Sequence, residues 1–194
     1  MSTPLFVGSA FVAKYPKGGG NFWVPLQYLR GFRDLGVETY WLEVLEGTGR
    51  PDVDALFIAT FQQRVAELGH AGHTVLLYYP RTIRVDAEDV QVFGMAREAA
   101  FARMRDGALL SLVGLAPAVR QRFARRVLFD LDPGVFQIWA SQWGMGVGDY
   151  DAYLTIGMNL GAADSPVPLA GVTWQRTWPA VHVPSWPVSP AAGD

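Results

Sequence analysis

The chain has 194 residues, half of them hydrophobic and 13% aromatic, with a formal net charge of −2. That length carries one substantial core, the apolar content excludes disorder, and the near-neutral balance gives no general electrostatic case for a nucleic-acid partner. The absence of cysteine excludes disulfides, thiolate metal sites and cysteine nucleophiles.

No apolar stretch reaches membrane-spanning length, and the N-terminus lacks a basic region followed by a long apolar core, so a cytoplasmic protein without a membrane span is expected. The three histidines, His70, His73 and His182, form no metal-ligand motif. Gly69 and Gly72 put the first two in a loop, and neither a metal nor a cofactor is expected.

In chain order, Leu5–Phe11 reads as a buried strand and Phe22–Leu35 as an amphipathic helix. Val37–Leu42 follows Gly36 as a second strand. Val53–Leu68 carries apolar residues at helical spacing, with Asp52 as N-cap after Pro51. Thr74–Tyr79 is a strand stopped by Pro80. Ala87–Met104 reads as a second long helix starting near Asp86 or Asp89. Ala108–Val113 is a strand, and Pro117–Arg125 a short helix with proline in its first turn. Arg126–Leu131 is a fifth strand ended by Pro133-Gly134, Val135–Trp143 a further helix, and Ala152–Ile156 a sixth strand. The basic residues Arg120, Arg122, Arg125 and Arg126 read as a solvated helix face rather than a phosphate patch.

Strands alternating with helices imply right-handed crossovers and a mainly parallel sheet. The strands are near-continuous apolar runs, as when helices cover both faces. The fold class is therefore α/β: a Rossmann-like three-layer sandwich over residues 1–160. Residues 161–194 differ. They hold Pro166, Pro168, Pro179, Pro184, Pro187 and Pro190 with Trp174, Trp178 and Trp186, and read as an extended tail. This tail is either a strap over the domain, which would partly bury the three tryptophans, or a linker to a second domain.

Several positions fall where α/β proteins bind ligands, at the C-terminal ends of strands. Lys17-Gly18-Gly19-Gly20-Asn21 turns from the first strand into the first helix. It matches neither G-x-G-x-x-G nor a P-loop, so it is either a plain turn needing positive φ or a ligand loop whose helix N-terminus offers backbone N–H groups. Asn21 either caps the helix or faces the ligand. Glu43 aside, no acidic residue ends the second strand in the ribose-binding manner of a dinucleotide site. Phe129-Asp130-Leu131-Asp132-Pro133-Gly134 closes the fifth strand. It resembles the aspartyl-nucleophile motif of HAD phosphatases, but the only lysines, Lys14 and Lys17, precede it. An Asp-x-Asp metal clamp of GT-A type accounts for the pair but not for its place late in the sheet. The plain alternative is one aspartate capping the next turn and one solvated. Gly144, Gly146 and Gly148 with Asp149 and Asp151 read as a flexible loop. Asn159 and Gly161 follow the sixth strand at the same edge. Ser141 lacks a glycine elbow and His182 lies in the tail, so no Ser-His-Asp order is formed.

Taken together and in order, several segments resemble GT-B glycosyltransferase-like proteins. They are Lys17-Gly-Gly-Gly-Asn-Phe-Trp-Val-Pro-Leu-Gln-Tyr-Leu to Gly36, then Tyr40-Trp41-Leu42-Glu43. Three more are similar to a bacterial branch of them: Asp130-Leu-Asp-Pro-Gly-Val-Phe-Gln-Ile-Trp139, Tyr150-Asp-Ala-Tyr-Leu-Thr-Ile-Gly-Met-Asn-Leu-Gly161, and Pro166-Val-Pro168 leading to Trp174-Gln-Arg-Thr-Trp178 and Trp186-Pro187. The resemblance implies the N-terminal, acceptor-binding half of an enzyme that transfers sugar from a nucleotide-sugar donor to a hydroxyl acceptor. A second Rossmann domain, or another copy of the chain, would complete it across a cleft, with no bound metal. It also implies that the Gly-rich loop faces the cleft near the donor phosphates. The candidate ligand-binding residues are then Gly18, Gly19, Gly20, Asn21 and Asn159, the last either a ligand contact or a turn residue, and Asp130 or Asp132 is the candidate base for the acceptor hydroxyl. The sequence departs from the pattern at Met158, where Glu is expected, at Ser165 for Cys and at Ala170 for Asp. The alternative is a non-catalytic Rossmann-like ligand-binding or interaction module.

Overall fold

The computed structural model describes residues 3–15, 18–83, 88–144 and 147–188. Lys17, Asp86, Ala87, Gly146 and Pro190, named above, lie outside them. The elements in chain order are β1 (Leu5–Ser9), α1 (Gly19–Asp34), β2 (Thr39–Glu46), α2 (Pro51–Glu67), β3 (Thr74–Tyr79), β4 (Gln91–Phe93), α3 (Arg97–Asp106), β5 (Ala108–Ser111), α4 (Pro117–Arg120), β6 (Arg125–Asp130), α5 (Val135–Trp143), β7 (Ala152–Thr155) and β8 (Trp174–Arg176). They build one sheet in the order β4-β3-β2-β1-β5-β6-β7-β8. Every pairing is parallel except β3 with β4. The parallel part follows the Rossmann-like winding, in which the chain moves outward from β1 in one direction and then in the other.

Alternation along each strand divides the core. Val7, Trp41, Leu45, Leu76, Leu110 and Phe129 face α1 and α2, packing on Phe22, Leu26, Leu29, Ile58 and Phe61. Phe6, Leu42, Val44, Val75, Leu77 and Leu109 face the other way, onto Ala100 and Met104 of α3 and Val119 of α4. A third cluster joins Leu128, Tyr150, Leu160 and Trp174 with Phe136 of α5. β2 and β3 are buried through almost their whole length, so their sequences read as unbroken apolar runs rather than as alternation. No described helix is long and apolar enough to cross a membrane.

Two sequence expectations are corrected here. The long helix over Ala87–Met104 is in fact the short edge strand β4 followed by α3. Gly94 has φ +84, and a Cβ there would lie 2.3 Å from the Thr74 carbonyl oxygen, so the chain turns sharply between the two. Pairing of Gln91–Phe93 with Leu76–Tyr78 overrides a helix-like pattern. The helix from Pro117 stops at Arg120 rather than Arg125, because Arg125 already pairs with Ala108.

The segment after β7 lies on the domain. β8 extends the sheet beside β7, with Trp174 only 9% exposed and its indole N–H donating to the Leu169 carbonyl. The chain then crosses α1. Ala180 N–H donates to Tyr28 Oη, His182 N–H and the Trp186 indole N–H both donate to Gln27 Oε1, and the Trp186 ring lies 5.4 Å from that of Trp23. His182 Nε2 meets Asp34 at 2.8 Å, and Arg30 reaches Ser185 Oγ at 2.6 Å. Trp178 and Trp186 nevertheless remain 77% and 53% exposed. Backbone and polar anchors, more than indole burial, hold this stretch.

Candidate functional site

β1 is the strand from which the sheet is wound in both directions, so the loops leaving β1 and β5 diverge and open a crevice at their C-terminal ends. The crevice has two lobes. The larger, about 540 Å³, is lined by Phe11, Leu112–Pro117, Arg120, Leu128–Asp132, Val135, Phe136 and Trp139. The smaller, about 190 Å³, is lined by Ser9, Phe11, Val12, Asn21, Val24, Pro25, Leu112, Val113 and Leu131. Phe11, Leu112, Val113 and Leu131 belong to both, which makes the lobes continuous.

The two aspartates at the end of β6 divide their work. Asp130 is 4% exposed. Its Oδ1 accepts the Asp132 N–H at 3.0 Å, and its Oδ2 accepts the Gln137 amide at 2.6 Å and the Thr155 hydroxyl at 2.9 Å. These donors satisfy both oxygens and make Asp130 the organiser of the β6–α5 turn. Gln137, fully buried, completes the arrangement by accepting the Gly134 N–H at 2.6 Å through its Oε1. Gly134, with φ +102, adopts a conformation that side-chain-bearing residues avoid. Asp132 is exposed and lines the larger lobe, and among the described residues no donor pairs with its carboxylate. Sequence reasoning named both carboxylates but missed Gln137, whose place three residues after the N-cap glycine is half of a capping box and could have been read.

The glycine turn lies on the same edge, since β1 and β6 run in the same direction. The expectation that it needs positive φ is corrected: Gly18 has φ −68, and Gly19 and Gly20 are the first two residues of α1. A Cβ at Gly18 would meet the Tyr15 carbonyl oxygen at 2.9 Å, whereas at Gly19 or Gly20 it would meet nothing within 4 Å. Nothing among the described residues therefore requires the second and third glycines. The N–H groups of Gly19, Gly20 and Asn21 have no intrahelical acceptor, being in the first turn. Asn21 is the third residue of α1 rather than its cap, which is Gly18, and it lines the smaller lobe. Pro25, which has no N–H to give the Asn21 carbonyl, lines the same lobe. Gly18, Gly19 and Gly20 are beside the cleft rather than in its lining. Asn159 is exposed in the turn after β7, at the same edge but outside the lining of either lobe.

Glu43 is not a strand-end ligand group. It sits within β2, fully buried, and holds the loop after β1 in place. Its Oε1 accepts the Ala13 N–H at 2.9 Å, its Oε2 accepts the Ser9 hydroxyl, and Ser9 Oγ in turn accepts the Trp41 indole N–H at 2.9 Å. Burial pushes the carboxyl up to about 7 from an ordinary 4.5, against the opposing pull of these hydrogen bonds. Ser9 is at the smaller lobe, so the network forms part of the cleft floor.

The arginines do not form one solvated face. Arg120 is buried, donates to the Leu115 carbonyl at 2.8 Å and pairs with Asp149 at 3.0 Å, while its Nε–H has no acceptor among the described residues. Arg122 lies over the Phe101 ring at 4.3 Å, and Arg126 pairs with Asp151. The glycine-rich loop thus carries two aspartates that tie back to arginines. His70 is buried against Arg33, which donates to its Nδ1 at 3.1 Å, and burial followed by the nearby arginines pulls its pKa down to about 4. Among the described residues no three His, Asp or Glu side chains are grouped to hold a metal. The chain matches no known family, no curated protein and no solved structure.

Proposed function

We propose that this chain is the N-terminal, acceptor-binding half of a GT-B glycosyltransferase-like protein. In that role it holds a hydroxyl acceptor while a nucleotide-sugar donor is held largely by a second Rossmann domain. The observation that carries the reading is the cleft at the switch point of the sheet, with one carboxylate in its lining, that of Asp132, unpaired among the described residues. In this reading Asp132 accepts the proton of the acceptor hydroxyl, and Asp130 is a positioning residue that holds the turn from which Asp132 projects. Gly19 and Gly20 leave the head of α1 open, and its free amides suit the donor phosphates.

The second reading, a ligand-binding module without chemistry, draws on the complete engagement of Asp130. It needs the same cleft but no base. Titration of the ¹⁵N-labelled chain with a panel of hydroxyl compounds, phenols, apolar alcohols and methyl glycosides, tests the shared part, binding by any one of them being enough. Amide shifts are expected at Gly114, Leu131 and Asp132, with the Trp139 indole moving alongside. Shifts confined to other surfaces, or none with any hydroxyl compound, refute the acceptor cleft. Transfer measured with a second domain supplied then separates the two readings: Asp132→Asn abolishes it if Asp132 is the base and leaves it untouched otherwise.

A further inference from the structure

We infer that the larger lobe takes an uncharged ligand with a flat apolar body that presents a hydroxyl group to Asp132. The inference rests on the acceptor reading above and gives the acceptor a chemical class: an apolar alcohol or phenol, rather than a sugar chain or a phosphorylated compound.

The lining carries the argument. Of its sixteen residues only Arg120, Asp130 and Asp132 are charged. Arg120 is committed to the Leu115 carbonyl and Asp149, and Asp130 to Gln137, Thr155 and the Asp132 N–H. One exposed carboxylate remains, and the one lining cation, Arg120, has its charge paired with Asp149 and only its buried Nε–H unmatched among the described residues. A phosphate group would enter an apolar site bearing a like charge, which costs desolvation and repulsion together. A sugar chain would bury several hydroxyls against walls that offer them almost no side-chain partners. An apolar body with one well-placed hydroxyl meets neither penalty. Its size is set by a cleft of about 540 Å³, within the range that encloses small organic ligands. Flatness follows from the aromatic groups at the opening. Phe11 of the β1–α1 loop is 51% exposed and Trp139 of α5 is 46% exposed, so both rings keep a bare surface beside the lobe they line. A flat ligand covers such surfaces by stacking.

The test compares 2-naphthol with its methyl ether, 2-methoxynaphthalene, by calorimetry and by amide shifts on the full chain, with uridine diphosphate and methyl glucoside as competitors. The naphthol is expected to bind about fivefold or more tightly than the ether, because only it can donate to a carboxylate. Asp132→Ala should erase that difference without lowering the unfolding midpoint. Phe11→Ser should weaken both compounds about tenfold through lost apolar contact. Neither competitor should displace them. Equal binding of naphthol and ether, displacement by uridine diphosphate, or a Phe11-dependent dimer of the chain that excludes naphthol would each overturn the inference. Methyl glucoside shifting the cleft amides while naphthol does not overturns the inference but leaves the acceptor reading standing. Loss of all cleft shifts with every hydroxyl compound overturns both.

Discussion

Replacing Glu43 by glutamine should remove a pH dependence from the stability of this protein. The carboxyl is fully buried and titrates near 7 in the folded chain, against 4.5 when exposed. Between those two values the folded state binds a proton that the unfolded state has released. Stability from this group is therefore complete below about pH 4.5 and is lost as pH rises through about 7. The shift corresponds to about 3 kcal/mol in all, of which about 2 kcal/mol falls between pH 5.5 and 8.5. Glutamine imitates the protonated acid. It can still accept the Ala13 N–H and engage Ser9, but it cannot ionise. Urea unfolding of both proteins across that range is the assay. The parent should lose about 2 kcal/mol more than Glu43→Gln on going from pH 5.5 to 8.5. Parallel curves would show that Glu43 is ionised and well solvated throughout, and would refute the desolvation argument. Hydrogen exchange at the Ala13 amide gives a local check, since that N–H is the link between Glu43 and the loop carrying Phe11.

Asp130→Asn should cost about 2–3 kcal/mol in urea unfolding, because its new amide group would confront the Gln137 and Thr155 donors, whereas Asp132→Asn at an exposed site should stay within about 0.5 kcal/mol of the parent. Equal effects would show that the two carboxylates are not divided as described. Gly19→Ala should leave stability unchanged or raise it by up to about 1 kcal/mol, since its Cβ enters open space in a helix, while weakening any ligand seated on the head of α1; a marked loss of stability would mean that the glycine serves the fold. Gln27→Ala removes the acceptor shared by His182 and Trp186, about 2 kcal/mol of anchoring, so tryptic cleavage after the exposed Arg176 should accelerate about tenfold or more; unchanged cleavage would show that the other anchors suffice.

The parallel α/β class was legible because burial on both faces leaves strands as unbroken apolar runs, and Thr74–Tyr79 between Gly72 and Pro80 is a strand on that ground alone. The same local signals put Gly18–Asn21, Asp130, Asp132 and Asn159 at strand ends, and a parallel sheet sends all those ends to one edge. What each residue does there was a matter of tertiary structure. Asp130 and Asp132 are two positions apart and chemically identical. Only the arrival of Thr155 from β7 and Gln137 from α5 ties up one carboxylate and leaves the other unpaired at the cleft. Glu43 looks like an ordinary strand acid until Ser9 and Ala13, thirty or more residues earlier, close over it. Gln91–Phe93 carries a helical pattern yet becomes an edge strand because β3 offers it backbone partners. Periodicity records which side of an element is buried; pairing between distant segments decides which polar groups are used up and which stay free for a ligand.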